Sequence, residues 1–156
     1  MRKKFGVVLL IFTFVIGLIF PTGSVQAAET YPVNFPQFGS NCQVRLNVDK
    51  LRYHKADKEV IATGISNGKC STMYYKMVLS FPGRDYKTYS GYFTDSITHK
   101  FDLSGLHQNY TIYAKVFLFL YTKSNYTGLA GYLEMPITIF PRGDYDHGYD
   151  SWKPIE

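Results

Sequence analysis

From Gln43 onward, apolar residues recur at every second position, the period of a strand with one buried face. In "QVRLNV", Val44, Leu46 and Val48 alternate with polar neighbours, and "LRY" is expected to extend that strand past a break at Asp49-Lys50. "KEVIATGIS" reads as a second strand, rich in β-branched residues. "STMYYKMVLSF" places Met73, Tyr75, Met77, Leu79 and Phe81 on one face, with Tyr74, Lys76, Val78 and Ser80 on the other. "YKTYSGYF" and "SITHKFDL" follow as shorter strands. "YTIYAKVFLFLYT" aligns Ile112, Ala114, Val116, Leu118 and Leu120, and "GYLEMPITIF" aligns Leu133, Met135, Ile137 and Ile139. That makes about seven strands, separated by turn signals such as "SNGK" and "PGRD", with no competing helical period. The predicted fold class is all-β: a single antiparallel sandwich over residues 42–140.

The pattern changes ahead of the strands. Arg2, Lys3 and Lys4 precede an apolar run over residues 6–20, and Pro21 with Gly23 ends it. Val25 and Ala27 offer small side chains at the −3 and −1 positions of a signal peptidase site. Residues 1–27 are therefore expected to be a secretory signal peptide, cut between Ala27 and Ala28, and the chain is expected to be extracellular. The lysine-led leader resembles bacterial export signals, in which case the sequons at Asn109 and Asn125 carry no meaning. A membrane anchor is the competing possibility, but the run is shorter than the ~20 apolar residues a spanning helix needs. Residues 28–41 are expected as an N-terminal extension in which "FPQFGSN" is a flanking loop, and residues 141–156 as a polar and aromatic tail.

Charge narrows the partners. The whole chain carries 17 basic against 12 acidic side chains, but three of the basic ones belong to the leader. The remaining balance is slight and no basic run occurs, which argues against nucleic acid. Neither an amphipathic helix nor a basic patch suggests a membrane partner after cleavage. Cys42 and Cys70 both follow the leader, and a lone pair in an exported chain is expected to form one disulfide. The alternative is a nucleophilic cysteine served by His54 or His99.

"KADKEVIATGIS" and "THKFDLSGLHQNYTIYAKVF" resemble segments of immunoglobulin-like and fibronectin type III-like sandwich modules of secreted proteins. The resemblance implies a tyrosine corner, with Tyr110 as the candidate four residues after Leu106. It also implies that the third, sixth and seventh strands are neighbours in one sheet. Two features depart from those modules: the third strand has no tryptophan, and the cysteines do not fall on the second and sixth strands. The resemblance implies a fold and a binding role; no activity comes with it.

Candidate chemistry is sparse. "GDYDHGYDSW" holds Asp144, Asp146 and Asp150 around His147. The spacing suggests a calcium loop, yet the glycine and the twelfth-position glutamate of an EF-hand are out of place. No cofactor is expected, with Ca²⁺ at these three carboxylates as the alternative. No catalytic residue is expected either: there is no HExxH spacing and no nucleophile elbow. A small exported hydrolase or toxin would need carboxylates such as Asp85, Asp95, Asp102 and Glu134 to meet in space. An inhibitor of an extracellular enzyme would use the "FPGRDYK" loop, with Arg84 in a protease pocket.

Fourteen tyrosines stand out. If the third, sixth and seventh strands share a sheet, its outer face carries Tyr74, Lys76, Tyr113, Lys115, Phe117, Phe119, Tyr121, Tyr132 and Glu134, with the Tyr-x-Lys pairs opposite each other. Rings with an apolar face and a hydroxyl suit half-exposed recognition surfaces. The expected function is a non-enzymatic module that uses this face to bind an extracellular polysaccharide or protein, including a second copy of itself.

Overall fold

The computed structural model describes residues 27–142. Residues 1–26, which hold nearly all of the expected signal peptide, and the tail candidates Asp144, Asp146, His147 and Asp150 lie outside the described residues. One sheet contains β1 (Ala28–Glu29), β2 (Val33–Asn34) and β3 (Gln43–Val48). After β4 (Arg52–Tyr53) the same sheet continues with β5 (Glu59–Ser66). The second sheet takes up β6 (Met73–Phe81) and β7 (Arg84–Phe93), and β8 (Ser96–Asp102) returns to the first. β9 (Ile112–Tyr121) and β10 (Leu129–Ile139) complete the second sheet. The orders are β1-β3-β5-β8, with β2 also on β3, and β4-β10-β9-β6-β7. This is an immunoglobulin-like β-sandwich.

Alternation decides the core. Met73, Tyr75, Met77, Leu79 and Phe81 of β6 are buried, as are Ile112, Ala114, Val116, Leu118 and Leu120 of β9 and Leu133, Met135, Ile137 and Ile139 of β10. They meet Val44, Leu46, Val48, Val60, Ala62 and Phe101 from the facing sheet in one continuous cluster. Each large apolar side chain so enclosed contributes roughly 1.5–3 kcal/mol of transfer free energy. The expected β6, β9 and β10 neighbourhood is present, with β9 in the middle.

Two local expectations fail. "LRY" does not extend β3: Arg52 and Tyr53 pair parallel with Thr138 and Ile139 of β10, in the opposite sheet. The switch is held by Asp49, whose Oδ1 accepts from the Tyr53 hydroxyl at 2.6 Å and from Ile61 N–H at 2.9 Å. The segment 28–41, expected as an extension with "FPQFGSN" a flanking loop, is instead built into the sandwich. β1 and β2 pair with β3, and Phe35 and Phe38, around a single 3₁₀ turn at Pro36–Phe38, are buried in the main cluster. Gly131 makes room for this. A Cβ there would lie 2.9 Å from the Phe35 ring, and its φ of +154° is one that side-chain-bearing residues rarely adopt.

The Cys42–Cys70 disulfide closes the end of the sandwich, joining the approach to β3 to the loop between β5 and β6. Neither sulfur is therefore free to act as a nucleophile. The tyrosine corner expected at Tyr110 does not form: its side chain is 66% exposed and its hydroxyl bonds no backbone group among the described residues. The loop before β9 leaves its side chain outside. Tyr53 is instead the buried tyrosine whose hydroxyl fixes a chain crossing.

Candidate functional site

Strand register arranges the outer face of the second sheet into rows. One row runs Tyr92, Tyr74 and Tyr121 across β7, β6 and β9. The next runs Ser90, Lys76, Phe119 and Tyr132 across β7, β6, β9 and β10, and a third runs Thr88, Val78, Phe117 and Glu134. Toward the other end, Lys115 lies between Ser80 and Pro136, and Tyr113 opposes Thr138, which in turn opposes Arg52.

The rings touch one another. Phe117 and Phe119 stack at 5.5 Å, Tyr132 leans on both, and Tyr74 meets Tyr92 edge-on at 6.4 Å. Lys76 stands over two rings, 5.1 Å from the Tyr126 centroid and 5.9 Å from that of Tyr121. Contacts of this kind contribute about 0.5–1 kcal/mol at exposed sites, enough to pre-orient the ammonium without pairing it to an acid. Val78 is the floor of this face. It points away from the core yet is only 4% exposed. The rings therefore bury part of their own area, and what remains is a half-exposed aromatic band with Tyr92 and Tyr132 at its flanks.

The two Tyr-x-Lys pairs do not oppose each other. Antiparallel pairing sets Tyr74 against Tyr121 and Lys76 against Phe119, which puts Tyr113 and Lys115 at the far end of β9. There Lys115 is bound to Glu134 at 3.1 Å and 3.2 Å. The binding candidates thus split into a band (Tyr74, Lys76, Phe117, Phe119, Tyr121, Tyr132) and a separate end (Tyr113, Lys115). Tyr92 and Tyr126 join the band without having been expected. Tyr92 was legible as the outward partner on "YKTYSGYF". Tyr126 was not, because it reaches Lys76 from the β9–β10 loop with a φ of +58°, a conformation unusual outside glycine.

The carboxylates do not assemble. Glu134 faces Lys115, Asp102 accepts from Ser104 N–H at 2.8 Å at the end of β8, and Asp85 and Asp95 are exposed at opposite ends of β7 and its following turn. The hydrogen bonds from Ser104 hold the Asp102 carboxyl below its ordinary pKa, the opposite of what a general acid needs. Among the described residues no group of three metal-ligating side chains comes together. His54 stacks on Phe140 at 4.6 Å, and the buried Arg142 donates to the His54 carbonyl at 2.9 Å. His99 accepts or donates at 2.6 Å with the Tyr75 hydroxyl and stacks on Tyr89 at 4.3 Å. Both histidines are structural parts of the sandwich.

With this geometry in view, the sequence matches the model of the YqgA MG2 macroglobulin domain over residues 28–139. The chain belongs to that family. Comparison with curated proteins and with solved structures returns no match. Membership agrees with the observed sandwich, since macroglobulin domains have an immunoglobulin-like fold. It also favours an interaction role over catalysis.

Proposed function

We propose that this macroglobulin domain is an exported, non-catalytic recognition module that binds an extracellular polysaccharide through the outer face of β10-β9-β6-β7. The observation that carries the proposal is the aromatic band. Its rings cross four strands in adjacent rows and leave Tyr92 and Tyr132 more than half exposed. Sugar rings present apolar faces edged with hydroxyls. Tyrosine and phenylalanine faces stack on the former, while tyrosine hydroxyls and Lys76 bond the latter. Export is supported by the leader pattern of the sequence.

Affinity electrophoresis of the exported protein through gels loaded with extracellular polysaccharides tests this. Tyr92→Ala with Tyr132→Ala removes the two most exposed rings of the band, at about 0.5 kcal/mol or less of stability each. Retention on at least one polymer should fall about tenfold with the melting curve nearly unchanged. Undiminished retention would reject the face. Retention by another protein or by a second copy, with none by any polymer, would replace the glycan.

A further inference from the structure

Tyr113 stands on a ridge between two clefts, each holding an arginine. On one side a cleft of about 430 Å³ lies where the β6–β7 turn meets the start of β9; Phe81, Pro82, Arg84, Tyr110 and Tyr113 line it. On the other side a cleft of about 320 Å³ includes Arg52, Tyr113, Lys115 and Pro136. Tyr113 is 74% exposed and Tyr110 66%. Lys115 is already paired with Glu134. The two guanidinium groups have no ion-pair or hydrogen-bond partner among the described residues. Asp85, next to Arg84 in sequence, makes no ion pair with it.

Exposed arginines are common, and one alone would mean nothing. Here two unpaired guanidiniums flank one bare ring, and a second bare ring edges the larger cleft. A planar guanidinium offers two parallel N–H donors that match a carboxylate or sulfate fork. The ring between them offers an apolar face. That alternation, cation–ring–cation, fits a chain in which sugar rings carry repeated anions. It fits a single small anion less well, because one anion would use only one cleft.

From this we infer that the Arg52–Tyr113–Arg84 end of the outer sheet reads the negative charge of an acidic polysaccharide. The inference rests on the polysaccharide-binding proposal above and names the class of polymer. The aromatic band supplies stacking that does not depend on charge; the arginine end supplies the preference for acid.

The test uses the exported protein with three probes: polygalacturonate, its methyl-esterified form, and dextran sulfate. Polygalacturonate or dextran sulfate should be retained more strongly than the methyl ester, and the difference should shrink with added salt as exposed charges are screened. Dextran sulfate alone would assign sulfate, and polygalacturonate alone carboxylate. Arg52→Gln with Arg84→Gln should abolish the preference, lowering affinity for the anionic polymer about tenfold per lost charge-assisted contact. Equal retention of the acidic and esterified polymers overturns the inference, as does a preference that survives the double substitution. In both cases, continued loss of retention in Tyr92→Ala with Tyr132→Ala leaves the proposed function standing. No retention of any probe by the intact protein, and none by other polysaccharides, removes both.

Discussion

The Tyr53 hydroxyl donates to Asp49 Oδ1 across 2.6 Å, and the same oxygen takes the Ile61 amide. One carboxylate oxygen thus ties the strand leaving the first sheet, the strand entering the second and the neighbouring β5. Without it the chain would have a buried phenol and a buried amide to satisfy at the crossing. Tyr53→Phe should cost about 1.5–3 kcal/mol, the range for a bond to a charged group, and Asp49→Ala more, because it orphans both donors. Urea denaturation of the two variants measures this; equal, negligible losses would show that the crossing is held by packing alone.

Alkaline stability follows from the same pair. Burial, the bond to Asp49 and that residue's charge push the Tyr53 pKa well above the phenol value of 10.0. The folded state keeps its proton where the unfolded chain loses it. The contribution is complete below pH 10 and shrinks as pH rises beyond it. Tyr53→Phe should therefore flatten the alkaline limb of a stability-against-pH curve.

His99 predicts the acid limb. Burial lowers its pKa from 6.5, favouring the neutral ring that bonds Tyr75 and stacks on Tyr89. Below pH 6.5 the unfolded chain gains a proton that the folded one resists, so stability is lost as pH falls from 6.5 toward the depressed value. His99→Gln should lower stability at neutral pH and lessen its dependence on pH in that window. An unchanged slope would mean that the ring is solvated.

The disulfide has its own signature. Replacing Cys42 and Cys70 by alanine should cost about 3–4 kcal/mol, from a sequence separation of 28 residues. Reduction of the native protein should lower its unfolding free energy by a similar amount, seen as a lower melting temperature. A much smaller change would mean that the unfolded chain is already constrained there.

Most of the sandwich was legible because β6, β9 and β10 bury alternate residues without interruption, and period-two burial cannot be mimicked by a helix. The partnership of the outer rings followed from it. What was not legible depended on contacts distant in sequence. The sheet change after Asp49 rests on a carboxylate meeting an amide twelve residues away, and Phe35 enters the core only because Gly131 leaves space. The register of β6 against β9 separated Tyr113 from the band, and alternation alone does not set register. Arg52 joined the candidate surface for the same reason: its strand belongs to the opposite sheet from the one expected.

Gly64 tests the packing between sheets. An added Cβ would come 2.7 Å from Leu118 Cδ2 and 3.4 Å from Ile97. Leu118 is fully buried, so it cannot swing aside freely. Gly64→Ala should destabilise by about 1–3 kcal/mol. Combined with Leu118→Val, which shortens the opposing side chain, it should cost less than the sum of the two single changes. Strict additivity in a double-mutant cycle would deny the contact.

The most direct measurement is amide chemical-shift mapping of the isotope-labelled protein, residues 28–156, during titration with the polysaccharide it retains. Shifts should concentrate on β6, β7, β9 and β10, with Lys76, Phe119, Tyr132 and Tyr113 among the residues most affected, and leave β3, β5 and β8 nearly still. Shifts centred on β3, β5 and β8 would contradict the account, because the ligand would then sit on the sheet that lacks the aromatic band.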